Sequence, residues 1–116
     1  MARTTRGAGQ LIELVAFDEL ADVDDGYGNR QQGFIERFQT RAGFTWLRGG
    51  EAIQAARLEG IQPLIVRVRV NHDTDRIRPD WRMRDVRAGS VYAIRAITRS
   101  LDRGYLDVLV QSGVAQ

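Results

Sequence analysis

The sequence predicts a mainly β protein, a small antiparallel β-barrel of about six strands with at most one short helix, in the long loop between the second and third strands. Three observations carry that expectation. Residues 64–70 (LIVRVRV) alternate strictly, with Leu64, Val66, Val68 and Val70 on one face and Arg67 and Arg69 on the other. Residues 34–46 (FIERFQTRAGFTW) show the same period of two over a longer run. Three further strand-like runs, 81–87, 91–98 and 105–110, follow in quick succession, the last two pairs joined by AGS (88–90) and SLDRG (100–104), which are hairpin-length connections.

Residues 1–10 read as a flexible arm, with Gly7, Gly9, two Arg and no periodicity. Residues 11–17 (LIELVAF) read as the first strand, with Ile12, Leu14 and Ala16 on one face. ADVDDGYGN (21–29) reads as an acidic turn or mobile loop. In the second strand Phe34, Phe38, Ala42, Phe44 and Trp46 share a face with Glu36 and Thr40, while Arg37, Gln39, Arg41 and Thr45 point the other way. Thirteen residues would span roughly 44 Å, too long for a flat strand in a chain this short, and Gly43 is the expected site of a bulge or bend. Glu51 to Glu59 is rich in helix formers, and Gly60 is placed to end a helix in the left-handed conformation. From these faces, Phe38, Phe44, Val66, Val68, Ile94 and Val108 are expected to share one interior.

Length points to a single barrel domain over residues 1–116, and composition removes most chemistry. The chain has 116 residues, no Cys and one His, and all 17 of its basic residues are Arg. Thiolate metal sites, thiol catalysis, multi-histidine metal sites, Schiff-base lysines and Walker-type phosphate loops are therefore excluded. The high pI of about 9.7 reflects the scarcity of groups titrating between neutrality and Arg, since the net charge is only +2. Residues 1–60 carry 7 Arg against 9 acids, and residues 61–116 carry 10 Arg against 6, an asymmetry that suits docking between copies or partners of complementary charge. No run reaches the ~18 apolar residues of a membrane span. The start of the chain lacks the apolar core of a secretory signal, so a reducing cytoplasm, or a particle assembled there, is the expected setting.

The short motifs are weak. His72-Asp73 with Asp75 resembles a base and its orienting carboxylate, but HDTD after a strand is a turn sequence and no nucleophile is placed beside it. Asp22, Asp24, Asp25 and Gly26 fail the spacing of a calcium loop. Gly49-Gly50 before a helix is a poor phosphate cradle without a third Gly or a Lys, and reads as a hinge. No metal and no cofactor is expected. Arg76, Arg78, Arg82, Arg84 and Arg87 surround Trp81, with Asp80 and Asp85 interleaved. Arg76, Arg78, Trp81, Arg82 and Arg84 are the candidate interface residues, because Arg and Trp are enriched at interface hot spots. The same stretch, with Trp81 or Tyr92 as a stacking platform, leaves open a sequence-independent nucleic-acid-binding OB-like barrel. The residues alone support a β-rich, non-enzymatic binding or assembly module.

A resemblance takes this further. The succession RGGEAIQAARLEGIQPLIVRVR (48–69), IRPDWRMRD (77–85), GSVYAIRAI (89–97) and YLDVLVQSGVA (105–115) resembles the head–tail joining proteins of tailed phages. These are also called head-closure or stopper proteins, and they have prophage and gene-transfer-agent relatives. Members of that family often carry Trp-Ala late in the second strand, where this chain has Arg41-Ala42. The resemblance implies a non-enzymatic β-barrel in a virion or virion-like particle, assembled in the host bacterial cytoplasm. Its partners would be copies of itself in a ring of six or twelve, a portal or adaptor protein on the head side and a tail terminator or tail protein on the other. Double-stranded DNA would pass through the ring, and no membrane would be involved. It also implies that the loop between strands two and three reaches the ring axis as a gate, which makes Arg48, Gly49, Gly50, Glu51, Arg57 and Glu59 the candidate channel residues. The four charges among them cancel, which suits steric closure rather than a phosphate clamp. The alternative for this loop is a surface helix packed on its own barrel through Ile53 and Leu58.

Overall fold

A computed structural model describes residues 11–24, 26–47 and 50–112, and in it six antiparallel strands close into a barrel. They are β1 (Glu13–Asp24), β2 (Arg30–Trp46), β3 (Gln62–Arg69), β4 (Arg82–Asp85), β5 (Val91–Arg99) and β6 (Tyr105–Ser112), bonded in the cyclic order β1-β2-β3-β6-β5-β4. A short helix, α1 (Glu51–Leu58), stands between β2 and β3, as the run of helix formers predicts. The arm expected over residues 1–10 lies outside the described residues.

The core follows from alternation. Leu64, Val66 and Val68 of β3 and Val108 and Val110 of β6 are wholly buried, and they pair across the interface as Leu64 with Val110 and Val66 with Val108. Val15, Phe17, Met83, Tyr92 and Ile94 complete the interior from the other strands, with Phe38 and Phe44 packed against it. The interior expected from the sequence (Phe38, Phe44, Val66, Val68, Ile94 and Val108) is thus found. Phe17 stacks on Phe38 at 5.4 Å between ring centroids, and Phe38 meets Trp81 at 6.4 Å.

Closure of the barrel fixes the inward face of β1, and one expectation about β2 is corrected. The buried face of β1 is Val15 and Phe17, whereas Ile12 is 61% exposed. Leu14 is only half-buried, and Ala16 is buried outside the main core cluster. The break in regular pairing lies at Arg37 rather than Gly43: Phe17 faces Phe38 and Asp18 faces Glu36, which leaves Arg37 as an extra residue in β2. One extra residue reverses the faces beyond it. Phe34 and Glu36 therefore lie on the outer side with Asp18, while Phe38 points inward.

The first four residues of the stretch read as an acidic loop, 21–24, are strand, while 26–29 form the turn. β1 continues to Asp24 and β2 begins at Arg30, so residues 19–24 and 30–35 form a two-stranded ribbon beyond the barrel wall. Six residues a side make it about 20 Å long, and the molecule measures 56 Å along its greatest dimension. Val23 packs over Gly33, where a Cβ would come within 3.0 Å of the valine's Cγ2.

The registers also place the connections. The 71–81 connection, the 100–104 turn and the ribbon leave one end of the barrel, while the 47–61 connection and the 86–90 turn lie at the other. HDTD is a turn, as its sequence predicts: Thr74 is buried, and its hydroxyl accepts from the Asn71 N–H at 2.9 Å while its own N–H donates to Asn71 Oδ1 at 2.9 Å. Gly60 ends α1 at φ +84, where its N–H donates to the Arg57 carbonyl at 3.0 Å. Gly60→Ala should cost about 1 kcal/mol, because a Cβ is strained at that φ. A denaturant midpoint lowered with an unchanged slope would record it.

Candidate assembly surfaces

The candidate channel residues occupy the 47–61 connection. Arg48 and Gly49 lie outside the described residues. Gly50 takes φ +74 and accepts the Gln54 N–H at 3.0 Å, so the helix starts directly on it. Glu51 in the first turn and Arg57 in the last match the helix dipole, and Glu51, Arg57 and Glu59 are all exposed. α1 does not cover its own barrel through Leu58, which is 88% exposed; the side chain of Ile53 lies outside the described residues. A groove of about 480 Å³ separates helix and barrel mouth, lined by Trp46, Leu47, Arg57 and Gln62. Trp46 is 41% exposed there and stands edge-on to Phe44.

The candidate interface residues divide. Arg76 and Arg78 are exposed on the connection before β4. Trp81 is not a surface residue: it is 5% exposed and belongs to the core. Its neighbours explain this, since Trp81, Met83 and Asp85 alternate inward while Arg82 and Arg84 point out. Tyr92 is likewise 5% exposed, and burial together with the nearby Asp85 raises its phenol pKa despite a hydrogen bond with Ser90. Neither ring is presented for base stacking, which removes the platform that the nucleic-acid reading required.

Arg82 and Arg84 are committed within the chain. Asp18, with its side chain only 2% exposed, accepts from Arg82 Nε at 2.7 Å, from Arg84 Nε at 2.8 Å and from Arg84 Nη2 at 3.1 Å. Arg84 also reaches Glu36, and the Arg82 guanidinium lies 4.4 Å from the centre of the Phe34 ring. Burial pushes the Asp18 carboxyl upward, but the bonds from Arg84 and Arg82 outweigh it and hold the group below its ordinary value. The bond to Asp18 raises the Arg84 guanidinium, against its own desolvation and with help from Glu36. This cluster ties β1, β2 and β4 together where the ribbon leaves the wall.

No catalytic arrangement emerges among these groups: His72 is exposed on its turn, and Ser100 is engaged with Asp102 at 2.6 Å beneath a backbone turn. Among the described residues no helix is long and apolar enough to cross a membrane.

Comparison with known families decides the relationship. A family model for phage head completion proteins matches residues 7–113. The chain belongs to that family. It is a family of structural virion proteins, so the resemblance drawn from the sequence pieces holds over nearly the whole length. No curated protein matches the chain. Among solved structures, a protein from Shigella flexneri 2a, studied in solution, aligns over 96% of this chain and 100% of its own, with a TM-score of 0.69 and 19% identity. A chain from the virion of a native gene transfer agent particle aligns over 89% of this chain and 94% of its own, with a TM-score of 0.59 and 21% identity. At those identities both likenesses speak for the shared fold.

Within this head completion protein, sequence reasoning missed two features, the Asp18 cluster and the ribbon. A signal for the first was present in the alternation of WRMRD, which puts two Arg on one face of β4. The second was hidden by its composition, because Asp22 and Asp24 in ADVDDGYGN are turn formers whose strand conformation here depends on pairing with RQQGFI.

Proposed function

We propose that this head completion protein is a head-closure or stopper protein. Copies of it, six or twelve, form a ring below the portal–adaptor complex, close the DNA channel after packaging and offer a surface to a tail terminator or another tail protein. The observation that carries this reading is the family match across residues 7–113. The barrel supports it, with a closed wall and its connections gathered at two ends, one for each neighbour in a stack. The setting is the head–tail junction of a virion or virion-like particle.

The 48–60 loop is the channel gate. Gly50 at φ +74 and Gly60 at φ +84 bracket α1 as two pivots. Leu58 of the helix is in solvent, as in a segment that meets other copies. Its balanced charge lets several copies converge without binding phosphate, so double-stranded DNA is held sterically and released freely.

Particles carrying a shortened 49–59 loop should package DNA and then lose it, while Gly49-Gly50→Ala-Ala should slow delivery by stiffening the hinge. Genome retention by nuclease protection and delivery by transduction would be measured on both. Normal retention and delivery in both variants would assign the loop to scaffolding.

A further inference from the structure

Beyond Asp18 the two strands of the ribbon bond only to each other among the described residues. The pairing of β4 with β1 ends at Asp18 with Arg82, and that of β3 with β2 begins at Ala42 with Val68. Residues 19–24 therefore show an open edge, and residues 30–35 show a second on the opposite side of the same ribbon. Two-stranded ribbons are marginal in water by themselves, and open edges are sites for strand addition unless they are blocked. Neither edge contains Pro. Leu20, Val23, Phe34 and Ile35 are half-buried and leave part of their apolar surface on the ribbon.

We propose that the ribbon is an assembly arm whose β1 edge pairs with the β2 edge of a second copy of this chain. The inference rests on the ring reading above and names the surface that would join its members. Charge selects the pairing. Residues 19–24 carry Glu19, Asp22 and Asp24 and no base, whereas residues 30–35 carry Arg30 and no acid. Asp22, Asp24 and Arg30 form no ion pair within the described chain, while Glu19 is already held by Arg37 at 2.7 Å. Two β1 edges meeting would set Asp22 and Asp24 against themselves. An acidic β1 edge beside a β2 edge carrying Arg30 brings opposite charges together.

Geometry agrees with charge. The two edges lie on opposite sides of one ribbon, so the contact is heterologous and repeats from copy to copy, and such a contact closes into a ring when the rotation fits. The strand order would run β1-β2-β1-β2, antiparallel throughout. An isologous contact through one edge would stop at a dimer.

The absence of Cys makes engineered thiols unambiguous. Copies bearing Asp22→Cys and copies bearing Gln32→Cys, prepared separately, would be mixed on purified portal–adaptor complexes and oxidised. Leu20→Cys and Asp24→Cys on one edge, and Arg30→Cys and Phe34→Cys on the other, scan the register. Separate chains are needed because Asp22 faces Gln32 within one ribbon. Disulfides joining a β1-edge copy to a β2-edge copy are expected, with β1-edge variants alone remaining uncrosslinked. Rings formed by the parent chain with no such disulfide in any combination would overturn the arm and leave the ring reading intact. Crosslinking of β1-edge copies to one another would also overturn it, and failure of the parent chain to form rings would overturn both. In a second variant Ala21 is joined to Gly33 through Asn-Gly. It should keep the barrel's melting temperature and lose at least about tenfold in ring yield; undiminished yield would count against the arm. If that variant does not fold, the thiol scan decides alone.

Discussion

Val68→Asp is expected to abolish cooperative folding. Val68 is fully buried in β3, facing Ala42 across one ladder and Leu106 across the other. Losing the valine forfeits about 1.5–3 kcal/mol of apolar burial. A buried carboxyl whose pKa is driven up by roughly 3–5 units takes up a proton at neutral pH, which costs a further ~4 kcal/mol. Together these come to about 6–7 kcal/mol, which is enough to unfold a domain in the lower part of the ~5–15 kcal/mol range of domain stabilities. No buried side-chain polar atom among the described residues lacks a partner, so the interior holds no unsatisfied donor to receive the new group. Thermal melting followed by circular dichroism should show no sigmoidal transition. Val68→Ala, which removes bulk without charge, should still melt cooperatively, at a lower temperature by about 2–3 kcal/mol of stability. A soluble, cooperatively melting Val68→Asp protein would mean that β3 does not face the interior.

Those two variants probe the part of the fold most legible in the sequence. In β3 every second residue is apolar and the intervening ones are charged from Arg67 onward, so only one register buries the apolar set. Arg67, on the outer side, is fixed by Asp107 of β6 at 2.8 Å, and that bond raises its guanidinium pKa against a smaller desolvation effect. β1 was less legible for the opposite reason. LIELVAF is apolar on both faces, and the choice between Leu14 and Val15 as the inward residue is made by pairing with β2 and β4, which lie far away in sequence. The bulge at Arg37 has no local marker at all: nothing in IERFQ demands an extra residue, and Gly43 was the more obvious place for one. The extra residue lets Phe38 face the interior while Glu36, two residues earlier, reaches Arg84 outside. The helix of the candidate channel loop was legible because a run of helix formers ends at Gly60, which takes the left-handed φ of +84. The interface Arg residues were not, because spacing cannot tell a guanidinium offered to a partner from one already bound to Asp18.

That last distinction has a measurable consequence. Asp18→Ala should destabilise the barrel by about 1–3 kcal/mol at neutral pH, below the ~3–5 kcal/mol typical of breaking a fully buried pair. The reduction follows from the partners: the Arg82 and Arg84 side chains are 25% and 29% exposed, so water reaches both guanidiniums, and Arg84 keeps Glu36. The melting temperature should fall by roughly 5–15 °C. Acid should erase the difference. The Asp18 carboxyl is held below its ordinary value of 3.8 in the folded protein, so its stabilising contribution is complete above that pH. The contribution then fades as pH falls through the folded value, where the native carboxylate takes up its proton. The parent should therefore lose stability faster than Asp18→Ala below about pH 4, and the two urea midpoints should converge. Asp102, lowered by its bonds from Ser100 and the Gly104 N–H, adds an acid-sensitive slope that both proteins share and that cancels in the comparison. A difference in midpoint that stays constant from pH 7 to pH 2.5 would show that Asp18 acts by packing alone, and the ionic tie between the ribbon's base and β4 would have to be abandoned.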